Sequence, residues 1–154
     1  MKSKYALLSV ITLAASVLTL NTSAFADQTG VVDLNKVLLN YNKSQSARQT
    51  LQASKESLQK FVETARKSVQ SAKTTEQKKT LENKYNAELR QKISVINQEQ
   101  NKKAQEIQLN IYNAVKDIAA QKKLSPVLTK ESVIVGGEEI TNDVINELNT
   151  PPVK

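Results

Sequence analysis

The 154-residue chain contains no cysteine, no histidine and no tryptophan, and aromatic residues make up 4% of it. Without thiols or imidazoles it has no Cys/His nucleophile pair, no Ser–His triad and no zinc site of the usual ligands. It also has no disulfide framework and no cysteine for a lipid anchor. The carboxylates form no catalytic pattern. The composition therefore predicts a protein that is not an enzyme and holds no cofactor or metal.

The first 26 residues have the pattern of a secretory signal peptide. Lys2 and Lys4 precede an uncharged run from Ala6 to Leu20, and Ala24-Phe25-Ala26 follows as a small-x-small site. We expect cleavage after Ala26, which leaves a mature chain exported from the cytoplasm. The alternative is an uncleaved membrane anchor, which the short apolar run disfavours because a span needs about 20 residues.

Glycine and proline are both absent between Gly30 and Pro126, a run of 95 residues rich in Lys, Gln, Glu, Ala and Leu. These are good helix formers, so the run is predicted to be mostly helical. One straight helix would reach about 140 Å, and a hairpin of two long helices is the more economical interpretation. Thr74 and Gln77 fit a capping box, which places the tip of the hairpin at residues 71–77. A continuous helix through the threonines is the competing interpretation.

The two predicted helices carry different apolar repeats. The first runs from about residue 34 to 73 and has a seven-residue repeat, which is typical of a coiled coil. Its members are Leu51, Leu58, Val62, Ala65, Val69 and Ala72. The second runs from about residue 76 to 122 and has an eleven-residue repeat that includes Ile96, Ile107 and Ile118. That repeat predicts a nearly straight helix.

The two ends of the chain are predicted to form a small α/β head from residues 27–39 and 124–154. Strands are expected at residues 30–32, 127–129 and 132–135, and Asp33 is a candidate cap for the first helix. Thr141 is expected to cap a last short helix, and Tyr112 is expected in the core of the head.

So small a head buries too little surface to be stable alone, and its strands have open edges. We therefore expect an obligate oligomer. The residues predicted to build the oligomerisation head are Val31, Val32, Val127, Leu128, Val133, Ile134 and Val135.

Charge is divided unevenly along the chain. Residues 40–123, the predicted arm, contain 17 basic and 8 acidic residues, whereas the two ends are mildly acidic. A solvated helical face explains any single lysine, but the regional excess predicts attraction to an anionic partner. An acidic polypeptide, lipopolysaccharide or an anionic membrane surface fits an exported protein, and nucleic acid does not.

The whole pattern resembles the Skp/OmpH family of periplasmic chaperones. The resemblance rests on GVVDLNKV at residues 30–37, on VLTKESVIVGGEEITNDVI at residues 127–145, and on the helical run between them. It implies a mostly α fold, in which long antiparallel helical hairpins project from a small β-containing body as a homotrimer. It also implies a periplasmic, ATP-independent holdase that binds unfolded outer-membrane proteins, and family members are described as binding lipopolysaccharide.

Two other functions stay open beside the holdase: a structural coiled-coil adaptor, and an envelope protein that binds lipopolysaccharide or anionic membrane. For the holdase, location on the arm, charge and expected exposure select the residues that contact the client. They are Phe61, Val62, Arg66, Lys67, Val69, Lys73, Lys78, Lys79, Leu81 and Tyr85.

Overall fold

The computed structural model of the chain describes residues 28–151, so the predicted signal peptide lies outside the described residues. The elements that position the arm and the head follow one another without long loops. In chain order they are β1 (Gln28–Val32), α1 (Leu34–Asn40), α2 (Asn42–Ser71), α3 (Thr75–Lys122), β2 (Leu124–Thr129), a 3-10 turn (Lys130–Ser132), β3 (Glu138–Glu139) and α4 (Thr141–Asn149).

Helices α2 and α3 form a long antiparallel hairpin, as the sequence predicts. The chain turns between Ser71 and Thr75. At the start of α3 the Thr74 hydroxyl accepts from the Gln77 N–H at 3.2 Å, and the Gln77 side-chain oxygen accepts from the Thr74 N–H at 3.3 Å. This reciprocal capping box satisfies backbone donors that a helix start leaves unpaired. The predicted start of the second helix is thereby confirmed.

The prediction of one continuous first helix is wrong, because the chain breaks at Tyr41. Tyr41 is extended, with φ −80° and ψ 121°, and it separates α1 from α2. Its side chain is 3% exposed in the head core, and its hydroxyl accepts from the Asn110 side-chain amide at 2.9 Å. We attribute the break to the burial of this ring. No glycine or proline near Tyr41 marks the break in the sequence.

Asn149, the last residue of α4, bridges the break between α1 and α2. Tyr41 provides no side-chain cap for α2. Instead, the Asn149 carboxamide oxygen accepts from the Asn42 N–H, and its nitrogen donates to the Asn40 carbonyl, both at 2.9 Å. One side chain thus pairs a free donor of α2 and a free acceptor of α1. The C-terminal helix therefore fixes the point where the arm leaves the head.

The sheet has three strands in the order β2-β1-β3, and β1 pairs in parallel with both neighbours. Gly137 has a φ of +90°, and a Cβ there would collide with the Val31 side chain, so this turn requires glycine. The head core lies between the sheet, α1, α4 and the last turns of α3. Its buried residues are Val32, Val37, Tyr41, Ile111, Ala114, Ile118, Leu124, Ile140 and Val144.

Lys122, at the end of α3, joins three elements of the head. Its ammonium lies 2.8 Å from a carboxylate oxygen of Asp143 in α4 and 2.8 Å from one of Glu138 in β3. Hydrogen bonds to Asp143, which has the larger effect, and to Glu138 raise the pKa of Lys122 to about 12. Lys122 therefore stays charged at neutral pH.

The predicted strand at residues 132–135 is wrong. Residues 133–135 form a loop, in which Ile134 is 103% and Val135 is 89% exposed. β2 and β3 occupy both edges of β1, and within residues 28–151 this apolar segment pairs with neither outer edge of the sheet.

Two predictions about single residues of the head also fail. Tyr112 is 64% exposed, because α3 buries the face of Ile111, Ala114 and Ile118, and Tyr41 is the aromatic residue of the core. Thr141 lies inside α4, whose N-cap is Ile140. The Thr141 hydroxyl instead accepts from the Asp33 N–H at 2.8 Å. Asp33 caps α1 as predicted, by accepting from the Lys36 N–H.

The Asn149 bridge predicts a loss of stability when its carboxamide is removed. We expect Asn149→Ala to lower the free energy of unfolding by about 1 kcal/mol, as for the loss of a helix cap. Urea unfolding followed by circular dichroism measures this. The matched control is Asn146→Ala in the same helix, whose side chain is exposed. Equal losses in the two variants would contradict the bridge.

Candidate binding surface of the helical arm

The seam between α2 and α3 is thin along most of the hairpin. Between Ser44 and Ile111, a stretch that includes most of both helices, no residue is fully buried. The apolar residues that face the opposite helix stay half-buried, among them Leu51, Leu58 and Ile96. Two helices without further cover leave the sides of their apolar stripes open to solvent. The arm therefore presents apolar surface along its length.

An aromatic pair holds the outer half of the arm together. The rings of Phe61 on α2 and Tyr85 on α3 meet edge to face, with centroids 5.9 Å apart and planes at 74°. The Lys92 ammonium lies 5.1 Å from the centroid of Phe61, within the range of a cation–π interaction. The heptad repeat assigns Val62 to the seam, but Phe61 is half-buried there and Val62 is 40% exposed. Pairing of Phe61 with Tyr85 accounts for this difference.

A groove of about 270 Å³ beside this pair brings together half of the predicted client-contact residues. Ala65, Leu89 and Glu82 complete much of its wall. The predicted residues that line it are Phe61, Val62, Arg66, Val69 and Tyr85.

The other five predicted residues lie outside that groove. Leu81 lines a separate shallow groove at the tip, next to Ala72 and Glu76. The remaining four are exposed on the arm and at the tip, and they are Lys67, Lys73, Lys78 and Lys79. The structure therefore forms one apolar patch from part of the prediction and leaves the lysines spread around it.

The cations of the outer arm are not neutralised by neighbouring carboxylates. Within residues 28–151, no carboxylate oxygen lies within 4.0 Å of Arg66, Lys67, Lys73, Lys78 or Lys79. Their positive charge is therefore available to an anionic partner.

Sequence reasoning missed two further grooves along the seam. One, of about 620 Å³, lies where the small side chains of Ala53, Ser54 and Ser57 face Val95 and Ile96. Its signal in the sequence is the run of small residues on one face of α2.

The second groove, of about 360 Å³, lies next to the head. We call it the root groove. It is bounded by Leu38, Ala47 and Leu51 on one side and by Ala104, Ile107 and Ile111 on the other. The break at Tyr41 brings α1 beside the hairpin here. The sequence predicts a continuous first helix and therefore does not predict this groove.

An ion pair joins α2 and α3 beside the root groove. The Lys43 ammonium lies 2.8 Å from a Glu106 carboxylate oxygen. This hydrogen bond lowers the pKa of Glu106 below its usual value and raises that of Lys43. Both side chains are more than half exposed, so salt screens the pair.

From Gln28 to Pro151, no helix combines the length and apolar character needed to cross a bilayer. Over the same residues, no group of three or more acidic side chains is arranged to hold a metal ion.

Comparison with protein families assigns the chain to one family. The OmpH-like outer membrane protein family matches residues 28–148. The chain belongs to the OmpH-like family. No curated protein matches it in sequence. The match confirms the resemblance stated from the sequence and agrees with the mostly helical fold, its long hairpin and its small sheet.

OmpH-like proteins are periplasmic chaperones for outer-membrane proteins, and they are not enzymes. They are oligomeric and bind unfolded outer-membrane proteins. An open arm with apolar grooves and unpaired cations agrees with that activity.

The Lys43–Glu106 pair predicts a pH-dependent effect of Glu106→Gln. Because the folded-state pKa of Glu106 is lowered, its contribution to stability is present above about pH 4.5 and is lost as the pH falls through the folded-state pKa. We expect the variant to lower Tm at neutral pH, and we expect the difference from the wild type to vanish in acid. Calorimetry across the pH range measures this. Glu99→Gln, an exposed change on the same helix, is the control, and a difference that persists in acid would contradict the assignment.

Proposed function

We propose that this chain is an ATP-independent holdase, which binds unfolded outer-membrane protein precursors in the periplasm and prevents their aggregation. The observation that carries the proposal is the thin seam of the arm. It leaves apolar grooves open between α2 and α3, beside cations that no carboxylate of the described chain neutralises. Family membership supports the same function.

The arm suits a client without fixed structure. Strands of an outer-membrane barrel alternate apolar and polar residues, so the unfolded precursor exposes single apolar side chains at short intervals. Several shallow grooves can bind such side chains weakly and in many registers. The net positive charge of the arm speeds capture of an acidic chain at long range. The groove beside Phe61 and Tyr85, with the lysines of the tip, forms the client surface of this proposal.

We also propose that the protein acts as a homotrimer. Of the residues predicted to build the oligomerisation head, Val31 and Val32 are already buried within the chain. Leu128, Ile134 and Val135 are 38%, 103% and 89% exposed, and they remain free for a partner. Exposed apolar side chains on a small head are typical of an interface.

The remaining parts of the proposal concern the ends of the chain and its division. Residues 1–26 act as a cleaved signal peptide. Residues 27–39 and 124–154 form the oligomerisation head, and residues 40–123 form the client-binding arm.

Binding to lipopolysaccharide or to an anionic membrane surface is a second candidate function. The observation that favours it is the exposed group Lys73, Lys78 and Lys79 at the tip. Three unpaired ammonium groups at the end of a projecting arm can reach a phosphate-bearing surface.

The holdase is tested by diluting a urea-unfolded outer-membrane barrel protein into residues 27–154 and following turbidity. We expect stoichiometric trimer to suppress aggregation without ATP, and suppression to weaken at about 1 M salt, where the Debye length is ~3 Å. Unchanged aggregation at low salt would contradict the proposal.

Two charge variants, each measured for suppression of aggregation and for cosedimentation with anionic vesicles, separate the two candidate functions. One replaces Lys73, Lys78 and Lys79 by Gln, and its control replaces the exposed Lys55, Lys102 and Lys116, so the net charge is equal. If only the tip variant loses cosedimentation with anionic vesicles while both still suppress aggregation, the lysines of the tip serve the second candidate function.

The trimer predicts that a charge at Ile134 dissociates the oligomer. We expect Ile134→Asp to lower the solution mass measured by light scattering, because the carboxylate would be buried at the interface without a partner. Ile134 is fully exposed within the chain, so the substitution leaves the core of the head intact. Leu109→Asp, at a 59% exposed position on α3, is the control. An unchanged mass for Ile134→Asp would contradict the proposed interface.

A further inference from the structure

The root groove is the most apolar depression of the arm, and none of the predicted client-contact residues lines it. Its floor is formed by leucine, isoleucine and alanine side chains. Ser44 and the amide side chains of Gln100 and Gln108 lie among them and supply polar groups. Such a site buries apolar side chains and provides a few donors and acceptors for a backbone.

The charge of the root groove has one sign. Arg48 and Lys103 are the charged side chains that line it, and no carboxylate does so within the described chain. The other grooves described above each include a glutamate, at positions 76, 82 and 88. Glu106 lies beside the root groove, but it is paired with Lys43. The root groove is therefore the one whose local field favours an occupant with acidic side chains.

The length of the groove limits the size of its occupant. On α3 it extends from Gln100 to Ile111. Eleven steps of 1.5 Å give a length of about 16 Å. An extended chain advances about 3.3 Å per residue and points alternate side chains to the same face. The groove thus accommodates about five residues, of which three present their side chains to one face.

These observations converge on one ligand class. We propose that the root groove binds an extended segment of about five residues in which apolar side chains alternate with acidic ones. The apolar side chains enter the groove. The acidic ones point to the opposite face, where the long side chains of Arg48 and Lys103 at the rim attract them through solvent. The inference rests on the proposed function, because it names the client segment that the arm holds next to the head.

A second copy of the arm is a poorer occupant. Residues 40–123 carry 17 basic and 8 acidic residues, so a second arm would bring positive charge to Arg48 and Lys103. An amphipathic helix is the alternative occupant, which a peptide rearranged to helical periodicity tests.

The absence of cysteine makes a single introduced label specific. Ala47→Cys, labelled with a polarity-sensitive fluorophore, reports from the groove, and Ala87→Cys, exposed on α3 and outside the groove, is the control. The probe is a synthetic peptide of alternating Leu and Glu. Two further peptides replace Glu by Lys or rearrange the same residues to helical periodicity.

We expect the Leu/Glu peptide to shift the emission of the Ala47 label saturably and that of the Ala87 label not at all. The Lys peptide should bind at least about ten-fold more weakly at low salt, because it meets Arg48 and Lys103. Equal affinity for the Lys peptide or for the helical arrangement would overturn the inference. A shift of the Ala47 label with protein concentration alone would also overturn it, since a second copy would then occupy the groove.

A pair of adjacent lysines supplies a control for charge. Lys103 lines the groove and Lys102 does not. Lys103→Glu and Lys102→Glu change the net charge equally, so they differ only in their position relative to the groove. We expect only Lys103→Glu to weaken binding of the Leu/Glu peptide, with circular dichroism confirming that both variants fold. Equal losses in both would overturn the inference.

The aggregation assay separates this inference from the proposed function. If the wild type suppresses aggregation and the Ala47 label does not respond to the Leu/Glu peptide, the holdase stands and the root groove is not its site. If the label responds and the wild type leaves the client to precipitate, the groove binds the peptide and the holdase proposal fails.

Discussion

The whole molecule depends on the packing of the last turns of α3 against the head. Ile111, Ala114 and Ile118 are buried there together with Tyr41, Ile140 and other residues of the head core. Because both long helices start or end at this core, it positions an arm that buries no residue fully along most of its own length. Hydrophobic burial, the largest stabilising term in folding, is thus concentrated at one end of the molecule.

This concentration assigns different tasks to the two regions. The head is held by the apolar core, by the Asn149 bridge and by the ion pairs of Lys122. The arm is held by a thin seam, by Phe61 with Tyr85 and by Lys43 with Glu106. A region with few buried contacts opens locally at a lower free energy than a packed core. In the proposed function, that weakness lets the arm adapt to clients of different size while the head stays folded.

The sequence predicts those features that depend on neighbours along the chain. The long helices follow from the absence of glycine and proline, and the start of α3 follows from Thr74 and Gln77. The cap at Asp33 and the strand predicted at residues 30–32, which the structure extends to Gln28–Val32, are local in the same sense. Each is decided by residues within a few positions, and the structure confirms them.

The features that the sequence does not predict depend on contacts across the fold. Tyr41 breaks a helix because the head offers its ring a buried site, and Asn149 caps α2 from over a hundred residues away. Residues 133–135 have the composition of a strand, but they form an exposed loop that pairs with neither outer edge of the sheet. Phe61 replaces Val62 in the seam because Tyr85 lies opposite. The root groove requires the break at Tyr41, so a prediction that missed the break missed the groove.

The central claim is that this arm holds an unfolded outer-membrane protein in solution. The most direct test is the mass of residues 27–154 by light scattering, alone and after dilution of a urea-unfolded barrel protein. The account predicts a trimer and a larger soluble complex of that trimer with the client. A trimer of unchanged mass beside a precipitated client would contradict the holdase, and a stable monomer would contradict the oligomeric head.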